Sequence, residues 1–161
     1  MSSVAALAAE DDMIDFCFPA LAETKDCASS KILAVRNTMV DAYNQRVLMK
    51  LVATYRWPSY HKCSADSMDM DGDNCIEPYI TTEFMNMQNH AGVPPHSLHL
   101  VEGALYELTR NISSADRLMN HTPVIVRRVH AHHVTIETMS GQTFPLPRIC
   151  FRFPSLFVLH V

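Results

Sequence analysis

Four histidines, His121, His130, His132 and His133, crowd one short stretch of the chain. On a strand, His130 and His132 point to the same side and offer a divalent transition metal two imidazoles. No third ligand is fixed by spacing, and His61-Lys62-Cys63 or Cys75 supplies one only where the fold brings it. Asp66, Asp69, Asp71, Gly72 and Asp73 have the composition of a calcium loop, but the register fails. With Gly72 at the sixth position the twelfth is Pro78, where a bidentate Glu is required, so the run reads as an exposed acidic loop. Tyr55, Trp57 and Tyr60 interleave with Arg56 and Lys62, a pattern that stacks bases and equally one that packs a loop onto its neighbours. Arg110, Arg117, Arg127, Arg128 and Arg148 suit either phosphate contact or a solvated face. ATP hydrolysis needs a glycine-rich loop whose N–H groups cradle the phosphates, a Lys and a magnesium-binding Ser/Thr. No GxxxxGK[ST] occurs, and the chain has 4 glycines. Nothing orients a Cys/His pair for nucleophilic attack, so no catalytic residue is assigned.

The elements that must carry these groups follow from periodicity. Residues 12–21 read as a short helix or turn packed by Phe16 and Phe18. Residues 31–36 (KILAVR) suit a buried strand, and Thr38 suits an N-cap with Asp41 three residues on. Val40, Tyr43, Val47, Leu48 and Leu51 then mark an amphipathic helix over 39–52. Residues 55–74 read as a loop, 83–88 as a helical turn and 92–96 as an extended proline segment. From Ser97 short strands are expected over 97–101, 104–109, 122–129, 134–138, 142–146 and 150–159, with Ser140-Gly141 as a hairpin turn. Closely spaced strands of this kind make a small barrel or meander.

The composition is that of a globular protein, with 161 residues, 48% hydrophobic residues and a formal net charge of −4. Charge therefore gives no case for nucleic-acid binding. The 5 cysteines are odd in number and contain no CxxC, which favours a reduced setting. No stretch has the length of a membrane span, and the N-terminus has no basic region typical of a secretory signal.

Six landmarks occur in one order. They are Ile14-Asp15-Phe16-Cys17-Phe18-Pro19-Ala20-Leu21; Ile32-Leu33-Ala34-Val35-Arg36-Asn37 with Val40, Asp41 and Asn44; and Ser64-Ala65-Asp66-Ser67. Then come Glu83-Phe84-Met85-Asn86 with Ala91-Gly92-Val93-Pro94-Pro95-His96, Leu98, Leu100, Gly103 and Ala104; Arg110-Asn111-Ile112 with Leu118, Asn120, Thr122, Ile125 and Val126; and Ser140-Gly141 with Phe144, Pro147, Arg148 and Ile149. In this order the chain resembles DNA helicases of the Pif (petite-integration-frequency) type, especially those of Helitron transposons, over about residues 12–150. The family pattern has glycine where this chain has Arg117, and Asn-Gly where it has Asn120-His121. It has an apolar residue where Glu107 stands.

The resemblance implies an α+β chain, a partial RecA-like α/β segment followed by a small Src-homology-3-like β-barrel. Residues 1–30 would connect, 31–95 belong to the second RecA-like domain, and 96–161 form the barrel with an apolar tail. It implies single-stranded DNA contacts at Arg36, Asn37, Arg110, Asn111, Asn120, Thr122 and Arg148. ATP and magnesium belong to the complete family enzyme, and no cofactor is expected for this chain. The remaining partners expected are the rest of a helicase core or a second copy, with no membrane, in a nuclear or mitochondrial rather than a secreted setting. Two other classes stay open: a protein-interaction module docking through the barrel and residues 151–161, and a small metal-binding protein using the histidines.

Overall fold

The computed structural model describes residues 11–65 and 95–150, and within them the chain combines helices with antiparallel sheets, a mixed α+β architecture. The helices are α1 (residues 11–17), α2 (Thr24–Cys27) and α3 (Asn37–Tyr55). The strands are β1 (Ser59–Cys63), β2 (Ser97–Val101), β3 (Leu105–Glu107), β4 (Pro123–Val129), β5 (His133–Thr138) and β6 (Thr143–Pro147). No described helix is long and apolar enough to cross a membrane.

In α1 the buried anchor is Ile14 rather than an aromatic; Phe18 packs inward, but Phe16 is exposed. Residues 31–36 are not a strand. A strand needs a ladder neighbour, and no described strand pairs with this segment, where Leu33 and Val35 point to solvent at 92% and 98% exposure. Helix α3 begins earlier than expected, at Asn37, with Arg36 in an extended conformation as N-cap and no side-chain cap bond. Thr38 therefore lies inside the first turn. The helix ends on Arg56, which takes the left-handed conformation (φ 57) and donates its N–H to Val52 O at 3.1 Å. Its inward stripe is Val47, Leu48, Leu51 and Val52.

Of the loop expected over 55–74, residues 56–58 are irregular, 59–63 form a strand and 66–74 lie outside the described residues. Ser59–Cys63 is β1, antiparallel to β2 in the register Ser59↔Val101, His61↔His99 and Cys63↔Ser97. The four other strands form a meander, β3-β4-β5-β6. The expected strand over 97–101 is present with those bounds, and those over 104–109, 122–129, 134–138 and 142–146 are present with shifted ends. The helical turn over 83–88, the extended 92–96 but for Pro95 and His96, and the strand over 150–159 but for Cys150 lie outside the described residues. The β5–β6 hairpin turns as Ser140-Gly141 suggests. Gly141 N–H bonds Thr138 O at 2.9 Å, and its φ of 86 fits a type I turn followed by a left-handed residue.

The two sheets meet at a corner. Gly103 donates to Val126 O, and Val126 donates to Ala104 O at 3.1 Å, so the chain between β2 and β3 is stitched to β4. Tyr106 braces the same corner: its hydroxyl accepts Val101 N–H at 2.9 Å and donates to His99 O at 3.2 Å. Burial pushes its phenol above the ordinary range, partly offset by the Val101 N–H. One apolar cluster (Leu100, Leu108, Leu118, Val124, Val126, Ile136) fills the inner side of the meander. A second (Leu21, Leu51, Val101, Ala104, with Trp57 and Val47 against it) joins α3 to the corner.

The outer side of the meander is tied to the N-terminal segment by charge. Glu137 of β5 accepts from Arg127 at 2.7 Å and pairs with Lys25 of α2 at 3.1 Å. The Arg127 hydrogen bond, then the Lys25 one, hold the Glu137 carboxyl below the usual carboxylate range. Glu107 of β3, at the position where an apolar residue was expected, pairs with Lys31, whose hydrogen bond lowers its pKa in the same way.

Candidate nucleic-acid interface

Arg110, Asn111, Asn120 and Thr122, drawn from two stretches of sequence, are brought together in the excursion between β3 and β4. The excursion is pinned at its base by Leu118, which is buried and bridges Ser113 (Leu118 N–H to Ser113 O 2.8 Å). Ile112 N–H reaches Leu118 O at 2.8 Å and His121 N–H reaches Leu108 O at 2.7 Å, so β3 and the start of β4 close the loop.

Within it the polar side chains divide by task. Asn111 Oδ1 accepts Asn120 N–H at 2.8 Å. Thr122 Oγ1 accepts Met119 N–H at 3.1 Å and donates to Arg117 O at 3.4 Å. Ser113 Oγ bonds Asp116 at 2.7 Å. Asn111 and Thr122 thus hold the turn's shape, while Arg110, Arg117 and Asn120 lie on its exposed surface. The other expected contact residues are carried elsewhere. Arg36 and Asn37 stand exposed at the start of α3, where the first helical N–H groups face outward, and Arg148 is exposed just past β6.

Two residues of the excursion have positive φ without being glycine: Arg117 (58) and His121 (63). An L-residue there costs roughly 1–2 kcal/mol, against about 0.5–1 kcal/mol of backbone entropy that glycine loses on folding. Arg117→Gly and His121→Gly are each expected to raise stability by about 0.5–1 kcal/mol in urea unfolding. The His121–Glu107 ion pair (3.6 Å) is too exposed to reverse this. Alanine at either position proving more stable than glycine would refute the strain.

The aromatic candidates resolve toward packing. Trp57 is half-buried against the second cluster, with its ring against Gly103; Tyr55 is tilted beside it, ring centroids 5.9 Å apart. Trp57 is therefore a core residue rather than an open stacking platform. The histidines also pair otherwise than expected. His130 stacks on His133 across the β4–β5 turn, centroids 4.1 Å apart, not with His132, because the chain reverses at residues 131–132 instead of continuing as a strand. Among the described residues no three His, Cys, Asp or Glu side chains converge as a metal site. The described cysteines, Cys17, Cys27, Cys63 and Cys150, are free thiols. The stacked pair His61–His99 has no sequence signal, because its members meet only through the β1–β2 register.

No protein-family model and no curated protein matches the chain.

Proposed function

We propose that this chain is a segment of a Pif-type DNA helicase, carrying the opening helix of the second RecA-like domain and the inserted Src-homology-3-like barrel, and that it contacts single-stranded DNA without hydrolysing ATP. The observation that carries the reading is backbone geometry. The family pattern places glycine at positions 117 and 121, and in this chain those are the two residues of the excursion with positive φ, 58 and 63. A fold inherited from a glycine-bearing ancestor keeps that conformation after the glycines are lost. The corner at Gly103-Ala104 gives the same kind of support. Gly103 has φ 94 and Ala104 is buried, which suits the family's glycine–alanine step there.

In this reading Arg110, Arg117 and Asn120 meet phosphates and sugars from the excursion, Arg36 and Asn37 from the α3 terminus, and Arg148 from the end of β6. ATP and magnesium would act only in the complete enzyme, since these residues include no phosphate-cradling loop.

The test is fluorescence anisotropy of the purified chain with a labelled single-stranded DNA about twenty nucleotides long, at low and moderate salt. Micromolar binding that weakens steeply with salt, and falls several-fold in Arg110→Ala and Arg117→Ala, is expected. No binding at low salt would sink it.

One observation favours a second reading, a protein-interaction module. Leu33 and Val35, 92% and 98% exposed in an irregular stretch, are costly to leave in water. Self-association of the chain without DNA binding would select it.

A further inference from the structure

The β1–β2 ribbon sets two histidines face to face. His61 and His99 are cross-strand partners, with ring centroids 4.5 Å apart and planes within 6° of parallel. The ladder pattern fixes what kind of pair this is. Glu102 N–H bonds Pro58 O at 2.9 Å and Ser64 N–H bonds His96 O at 2.8 Å. Both pairs lie an odd number of positions from His61↔His99 in the same register. Hydrogen-bonded and non-hydrogen-bonded pairs alternate along an antiparallel ladder, so His61↔His99 is a non-hydrogen-bonded pair, the class that brings side chains closest.

We propose that His61 and His99 form a cross-strand clamp for a divalent transition-metal ion of the zinc or nickel class, each giving one ring nitrogen, with water completing the coordination. Two nitrogens bound to one tetrahedral zinc at about 2.0–2.1 Å stand about 3.4 Å apart. Rings stacked at 4.5 Å reach that spacing by tilting toward each other about χ2, a soft torsion. The strand beneath is held: Tyr106 Oη donates to the His99 carbonyl at 3.2 Å and accepts Val101 N–H at 2.9 Å. Within the two strands no acid or lysine shares the face. Its neighbours there are Ser59, Cys63, Ser97 and Val101, while Tyr60, Lys62, Leu98 and Leu100 alternate to the other side. Burial, and then the charge of His61, push the His99 imidazole below its ordinary range, which favours the neutral form that binds metal. The second stacked pair is less available, because His130 Nε2 already faces Thr135 Oγ1 at 3.3 Å.

Isothermal titration of the full chain with zinc chloride, and separately nickel chloride, at neutral pH tests the clamp. The expected result is saturable one-to-one binding in the micromolar range that weakens at least about tenfold in His61→Ala and in His99→Ala, and is retained in His130→Ala. Circular dichroism of the variants confirms that the ribbon is intact. Absence of saturable binding, binding kept by both His61→Ala and His99→Ala, or binding lost in His130→Ala would each overturn the proposal.

Discussion

Gly103→Ala should cost about 2–5 kcal/mol in urea unfolding, by two additive routes. The first is backbone strain. Gly103 has φ 94, outside the small left-handed region that even Asn or Asp tolerates, so an L-residue there pays at least the roughly 1–2 kcal/mol of a left-handed conformation. The chain cannot relax by rotating, because Gly103 N–H is bonded to Val126 O and the next residue accepts from Val126 N–H. The second route is steric. A Cβ at this position would sit 2.9 Å from Trp57 Cζ3 and 3.0 Å from Cε3. The indole is at the end of a side chain and can move, but only out of its packing with the second apolar cluster, at about 1–3 kcal/mol. The two routes separate in a double-mutant cycle. Trp57→Ala alone should destabilise by about 3 kcal/mol or more, and in that background Gly103→Ala should keep the strain and lose the clash. Equal penalties in the two backgrounds would show that Trp57 does not press on this glycine.

That contact also marks where sequence reasoning stops. The strands of the meander were readable because β5 alternates apolar and polar residues, β4 carries the continuous apolar run Val124-Ile125-Val126, and Ser140-Gly141 is a strong turn signal. Helix α3 was readable from Val47, Leu48 and Leu51, but its start was not, since neither Arg36 nor Asn37 forms a cap bond and Thr38 imitates one. Residues 31–36 show the opposite failure. Their composition is that of a buried strand, yet strand formation depends on a neighbour that composition does not encode, and no described strand supplies it. Ser59–Cys63 has almost no apolar pattern and becomes a strand only through its register with β2. The same non-local register creates the His61–His99 pair. In the β3–β4 excursion, the loop residues were legible as a group, but not their division of labour. That Asn111 and Thr122 lock the turn while Arg117 and Asn120 lie at the surface depends on backbone N–H groups whose directions only the folded loop defines.

Strand β4 carries the other large effect, and its register explains why. Val124, Ile125 and Val126 are consecutive and all buried, at 2%, 0% and 3% exposure. Successive side chains on a strand point to opposite faces, so β4 must be covered on both sides. Val124 and Val126 belong to the inner cluster; Ile125 faces the other way. Its cross-strand partners are Leu105 of β3 and Glu137 of β5, which places all three in one row on the outer face. Glu107 lies two residues beyond Leu105 on that same face. The two glutamates flanking the row are held by Lys25 and Lys31, so the N-terminal segment is the cover expected over Ile125. Ile125→Ala should therefore cost about 2–5 kcal/mol, the range for a truncated core isoleucine, although a sheet with a bare outer face would make it an inexpensive surface change. Lys25→Ala is expected to cost much less, because the lysine is half exposed and its pair with Glu137 is partly solvated. The comparison, by urea unfolding of the two variants, reads out the cover directly. A loss below about 1 kcal/mol for Ile125→Ala would mean the N-terminal segment does not sit on the sheet. A loss in the core range makes residues before α3 a structural part of the β-sheet unit, and any shortened version of the chain that omits them should unfold more readily.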